Sequence, residues 1–124
     1  MIKLYNTNLE TNKLESVDTY TRGTWIHMVD PSEEEIKEVC QNVNIKEDFI
    51  RYALDNEEKA RIDVEDEDDT ILFIIDIPVT EKSQSGGYMY ATMPIGMIVV
   101  RDDFFITVTL RAVSYTHLTL PTIR

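Results

Sequence analysis

A nearly continuous apolar run, Thr70-Ile71-Leu72-Phe73-Ile74-Ile75-Asp76-Ile77, is closed by Pro78 and preceded by the acids Glu65-Asp66-Glu67-Asp68-Asp69. It is too short to cross a bilayer as a helix, which needs roughly 18 or more apolar residues. Its β-branched and aromatic content reads as a strand. Its lack of alternation predicts a central strand covered on both faces. The acids before it read as a solvated turn, because like charges repel. A chain with such a strand needs a sheet around it and a layer packed on that sheet.

The flanking sequence supplies both. Met1 to Tyr5, Leu14 to Thr19 and Thr24 to Val29 read as strands, separated by Asn-, Thr- and Gly-containing turns. Asp30-Pro31-Ser32-Glu33 predicts a helix start, with Asp30 as N-cap, Pro31 at the first helical position and Glu33 closing a capping-box-like arrangement. Ile36, Val39, Cys40 and Val43 follow at helical spacing, and Asn44 ends this helix or caps the next. Phe49, Ile50 and Ala53-Leu54 predict a second short amphipathic helix. Ala60 to Val64 reads as an edge strand, Tyr88 to Val100 as a long strand after the Lys82–Gly87 connection, and Phe104 to Leu110 as its hairpin partner across Arg101-Asp102-Asp103. The expected class is α/β: a mixed β-sheet layered with helices, in one domain. Trp25, Ile36, Phe49, Leu54, Phe73, Ile75 and Ile106 are the expected core.

Charge narrows the function. Lys and Arg number 12 against 23 Asp and Glu, a net charge of −11. Nucleic-acid binding depends on basic residues neutralising phosphates, so this balance argues against it. An anionic membrane surface would repel the chain, whereas cations or a basic partner suit it. One cysteine, Cys40, cannot form an internal disulfide or a cysteine zinc site, and fits a reducing cytoplasm. Met1–Tyr5 lacks the apolar region of a signal peptide. As written, the polypeptide reads as soluble.

No catalytic constellation emerges. His27 shares a strand face with Trp25 and Val29 by period-two counting and reads as a core or sheet-face histidine. Cys40 has apolar helical neighbours and reads as inert core. No Gly-x-Ser-x-Gly elbow or phosphate-binding glycine loop occurs, and Gly86-Gly87 reads as a flexible hairpin loop. The acidic run lacks the glycine of an EF-hand and leads into a strand. Asp76 is the only acid inside an apolar strand: either buried and paired, or pointing outward near the strand end.

The last residues differ from the rest. Ala112 to Arg124 contains no acid, although the chain has 23. A string of codons that encodes Ala112 to Thr122 resembles the transposase-end adapter of sequencing libraries. The tail is therefore expected to be non-native, 112–124, following a partial domain at 1–111, and His117 and Tyr115 carry no functional weight.

The order of signals is informative as a set. Thr24-Trp25-Ile26 leads into Asp30-Pro31-Ser32-Glu33-Glu34-Glu35-Ile36. Phe49-Ile50-Arg51-Tyr52-Ala53-Leu54-Asp55 follows, with Glu57-Glu58-Lys59-Ala60-Arg61-Ile62. Then come Ile71 to Pro78, Met93 to Val100, and Phe105-Ile106-Thr107-Val108. This set resembles the N-terminal cytoplasmic domain of the CorA family of magnesium transporters. The resemblance implies a homopentamer that moves Mg²⁺ or another divalent cation across the cell (inner) membrane, this segment lying on the cytoplasmic side. It also implies a regulatory Mg²⁺ between cytoplasmic domains, no other cofactor, and no enzymatic activity. Asp55, Glu57 and Glu58 are the candidate metal ligands, although Tyr52-Ala53 occupies the place where some members carry an acidic pair. Gly96-Met97 is followed by Ile98 and is not the family's Gly-Met-Asn pore signature. Nothing here spans a bilayer, so this segment cannot conduct ions. A free-standing acidic module that binds a basic protein, a small enzyme using His27, and Zn²⁺ transport within the same family remain as alternatives.

Overall fold

The computed structural model describes residues 1–55, 60–82 and 84–111. The strands are β1 (Ile2–Asn8), β2 (Lys13–Val17), β3 (Thr24–Val29), β4 (Arg61–Glu65), β5 (Thr70–Lys82), β6 (Tyr88–Val100) and β7 (Phe104–Thr109). Between β3 and β4 lie α1 (Glu33–Val43) and α2 (Glu47–Ala53). The strands form one seven-stranded sheet in the order β2-β1-β3-β7-β6-β5-β4. Among the described residues only the β3–β7 pairing is parallel, with Trp25 beside Phe105 and His27 beside Thr107. The sheet is thus mixed and layered with helices, as its sequence pattern predicts.

Local chemistry sets the helices. α1 starts two residues later than the Asp30 reading places it. Ser32 is the N-cap, its hydroxyl accepting from Glu35 N–H while the Glu35 carboxylate accepts from Ser32 N–H. Asp30 instead takes the left-handed conformation, φ 42°, at the sharp exit from β3. The Ser-x-x-Glu box satisfies two helix-end donors reciprocally, which Asp30 followed by Glu33 cannot do here. Asn44 ends α1 in the left-handed conformation, φ 58°. Arg101, from the β6–β7 turn, donates to the carbonyls of Val43 and Asn44. α1 has no basic residue in its own last turn, so Arg101 supplies the cation that its dipole favours there.

The core lies between the helices and one sheet face. Ile36, Val39, Cys40, Val43, Phe49, Ile50 and Ala53 pack on Ile26, Met28, Leu72, Ile74, Ile98, Val100, Ile106 and Val108. α2 comes closest at Gly96 of β6, where a methyl group would collide with the Ala53 side chain. Here glycine serves close approach rather than turn geometry.

Three sequence expectations need correction. Ile36, Phe49 and Ile106 are buried and Leu54 packs on the core, but Trp25, Phe73 and Ile75 point to the opposite sheet face, where Ile75 is 39% exposed. β5 is therefore covered by the helices on one face, and on the other, among the described residues, it is buried only at Ile77, which clusters with Met93 and Ile95 of β6. It also continues past Pro78 to Lys82. Pairing with β4 ends at Arg61↔Ile74, so Pro78 sits where β5 pairs with β6 alone, and its missing donor belongs on the outer edge. Pro94 marks the corresponding point on β6, one residue beyond its last pair with β7.

Candidate interaction face

Register defines the sheet face opposite the helices. Ile62 and Val64 of β4 stand beside Phe73 and Ile71 of β5, and these beside Met97 and Val99 of β6. Val99 and Met97 pair with Phe105 and Thr107 of β7, which pair with Trp25 and His27 of β3. His27 and Trp25 pair in turn with Lys3 and Tyr5 of β1. Side chains at paired positions share a face, so one apolar surface runs across six strands and ends at a polar corner. Exposure varies along this face: Ile62 is 64%, Val64 63% and Phe105 37% exposed, whereas Ile77, Met93 and Ile95 at its far end form a second, small buried cluster against which Met97, Val79 and Leu110 pack. A contiguous apolar face that stays solvent-accessible marks an interaction site.

The polar corner is ordered by one hydroxyl. Trp25 Nε1–H, which can only donate, bonds Thr107 Oγ1 at 2.9 Å. His27 Nδ1 lies 3.0 Å from the same oxygen. Burial, and secondarily the charge of Lys3, holds the His27 pKa below its ordinary value. The imidazole is then neutral at pH 7, and Thr107 can donate its single proton to Nδ1 while accepting from the indole. Tyr5, Trp25 and His27 form a ladder of rings with centroids 5.1 and 5.5 Å apart. His27 is thus a sheet-face histidine, in ring contact with Trp25 and hydrogen-bonded to Thr107.

Among the described residues, the other singled-out side chains do not converge. Asp55 is exposed at the end of α2, its N–H bonded to the Tyr52 carbonyl at 3.3 Å. Glu57 and Glu58 lie outside the described residues. Among the described residues, no group of three or more His, Cys, Asp or Glu side chains stands close enough to hold a metal ion. Asp76 is exposed, which decides between its two readings. Cys40 is buried against the core, and that burial pushes its thiol up to about 11. Gly96-Met97 lies inside β6. The turn 66–69 is tied down, with Arg101 donating to the Asp68 carbonyl at 3.4 Å and Thr70 Oγ1 donating to it at 3.0 Å. A groove of 450 Å³ opens between β1, β2 and α1, where the Tyr20 hydroxyl donates to Glu38 at 2.8 Å.

Reading β5 as buried on both sides missed the open face. A signal for it exists in β4, where Arg61, Asp63 and Glu65 alternate with Ile62 and Val64. The apolar pair lies on the face away from the helices.

A family model described as CorA-like Mg²⁺ transporter protein matches residues 21–123. The chain belongs to this CorA-like family. Among curated proteins, none matches it. The fold is similar to the soluble domain of CorA from Methanocaldococcus jannaschii, with a TM-score of 0.71 at 21% identity. That match covers 100% of this chain and 49% of the other. It is also similar to the complete CorA magnesium transporter from the same organism, with a TM-score of 0.68 at 16% identity. There the match covers 95% of this chain and 35% of that one. This CorA-like chain therefore spans about half of the solved soluble domain that it resembles. None of its helices is long and apolar enough to cross a membrane, among the described residues.

Proposed function

We propose that this CorA-like chain is part of the cytoplasmic domain of a divalent-cation transporter, acting structurally and as a regulator rather than as the conducting element. The observation that carries the reading is the half-covered sheet. α1 and α2 occupy one face, while the other leaves Ile62, Val64 and Phe105 exposed and Phe73 and Met97 half-buried. The CorA soluble domain has about as much chain again outside the matched region. A continuation of this polypeptide has the length to cover the open face. In the proposed assembly, a homopentamer, the net charge of −11 disfavours close subunit contact, and a bound Mg²⁺ between acidic surfaces would relieve it.

A long read of the source DNA through codon 111 tests this reading. A frame that continues for about 200 residues and ends in two apolar stretches of roughly 20, the first closing on Gly-Met-Asn, supports it. A native stop within a few codons overturns it. The same read tests the proposal that 112–124 is translated adapter. Mg²⁺ sensing is tested by thermal melts of the longer soluble protein with and without millimolar Mg²⁺, with Ca²⁺ as control. A stabilising shift specific to Mg²⁺ is expected, since a ligand that binds only the folded state raises Tm.

A further inference from the structure

Among the described residues, the sheet ends in two short strands, β2 at one side and β4 at the other, each paired along one edge only. An open edge is a row of backbone donors and acceptors that accepts a further strand. The two edges are chemically matched. By register, Lys13 and Glu15 of β2 lie on the helix side of the sheet, as do Arg61 and Asp63 of β4. Leu14 and Ile62 lie on the opposite side, 52% and 64% exposed. Of the pairings that join β2 to β4 across the sheet, five are antiparallel and one, β3 with β7, is parallel. β4 therefore runs opposite to β2. A second copy set edge to edge, with its helices on the same side, brings its β2 antiparallel to β4.

We propose that β4 of one copy pairs with β2 of the next, head to tail, with Arg61 opposite Glu15, Ile62 opposite Leu14 and Asp63 opposite Lys13 of the next copy. Both charged pairs are then of opposite sign, and the two exposed aliphatic side chains meet on the other side of the sheet. Keeping each side chain on its face allows register shifts of two residues only. One such shift sets Arg61 against Lys13, and the other sets Asp63 against Glu15, so charge selects the proposed register. Arg61 Nε donates to Asp63 Oδ2 at 2.8 Å. A guanidinium carries five N–H donors, enough to serve a carboxylate across the edge as well. The contact joins different surfaces of the two copies, so it gives a ring where its rotation closes and a filament where it does not. Strands of five residues bury little area, which makes the contact weak and concentration-dependent. This inference rests on the two sheet edges and not on the transporter reading.

The test is sedimentation of the 124-residue chain over a wide concentration range, with charge reversals at the two edges. The parent should associate, and Arg61→Glu or Glu15→Arg alone should weaken association about tenfold, because each sets like charges opposite one another. Arg61→Glu and Glu15→Arg in one chain should restore it. So should an equimolar mixture of the two single variants, since each supplies the edge that the other lacks. Lys13→Glu with Asp63→Lys repeats the exchange at the second pair and keeps the test open if Arg61→Glu fails to fold. A parent that stays monomeric, single reversals that associate as the parent does, or exchanges that folded variants show to give no recovery would each overturn the proposal.

Discussion

Gly96 of β6 lies directly against Ala53 of α2, with no room for a methyl group between them. This contact sets how closely the second helix approaches the sheet, and Ile50 and Phe49 reach the core on the strength of it. Gly96→Ala should destabilise the domain by about 1–3 kcal/mol in urea unfolding, the range for overpacking a filled core. Ala53→Gly removes the colliding atom and leaves its Cα at 3.4 Å from the added methyl, an ordinary contact. The double variant should therefore recover part of the loss. Simple additivity of the two effects would mean that the contact does not set the spacing.

The sequence resolved this layer well where periodicity had one meaning. Ile36, Val39, Cys40 and Val43 at helical spacing do form the buried face of α1, and Tyr88–Val100 is one strand with those bounds. Ambiguity entered where an apolar run has two explanations. Residues 70–77 look alike whether both strand faces are covered by this chain or only one is. Pattern alone therefore places Ile75 and Phe73 in the core beneath the helices, on which neither packs. The interaction face was illegible for a related reason: it is assembled by register from six strands, and only the alternation in β4 hints at it. The helix start was displaced because Asp30 and Ser32 are both good caps, and only the geometry of the chain leaving β3 chooses between them.

Arg101 closes the far end of α1, bonding the carbonyls of Val43 and Asn44 from a turn distant in sequence. It also reaches the Asp68 carbonyl, so one guanidinium joins α1 to two turns of the sheet. Arg101→Ala should cost about 1–2 kcal/mol, since charged hydrogen bonds to helix-end carbonyls are lost together. Arg101→Lys should recover little, because an ammonium cannot reproduce the fork that spans these acceptors. Paired urea melts check both, and equal stability of the lysine variant and the parent would contradict this account.

Cys40 should resist thiol reagents in the native chain at pH 8 and react fully in denaturant. Burial pushes its thiol up to about 11, so almost no thiolate is present and access is closed as well. Stability follows with a definite sign. Between the ordinary thiol value and about 11, the unfolded chain has lost this proton and the folded chain retains it, so stability falls as pH rises through that window. The Tyr20 phenol is raised too, by burial and by its bond to Glu38, and adds to the loss at still higher pH. Cys40→Ala should flatten the first part of the decline in a series of melts from pH 8 to 11.

Phe105 and Ile106 are neighbours on β7 that face opposite sides of the sheet, at 37% and 0% exposure. This pair tests whether the open face is covered in a longer protein. In the 124-residue chain, Phe105→Ser should change stability by less than about 1 kcal/mol, as expected for a surface position. Ile106→Ala should cost about 2–5 kcal/mol, because it opens a cavity beneath the helices. If a continuation of the chain packs on Trp25, Phe73 and Phe105, then Phe105→Ser made in the longer soluble protein should rise to about 2–4 kcal/mol while Ile106→Ala stays where it was. Trp25 is the single tryptophan of this chain and lies on the same face, so the short chain gives an unmixed reference emission for an uncovered face. The short chain should also associate as its concentration rises in sedimentation experiments, and Phe105→Ser should weaken that association, because the exposed apolar face drives it. A Phe105→Ser cost that is small and unchanged between the two lengths would show that the face remains open, and the proposed packing would fall with it.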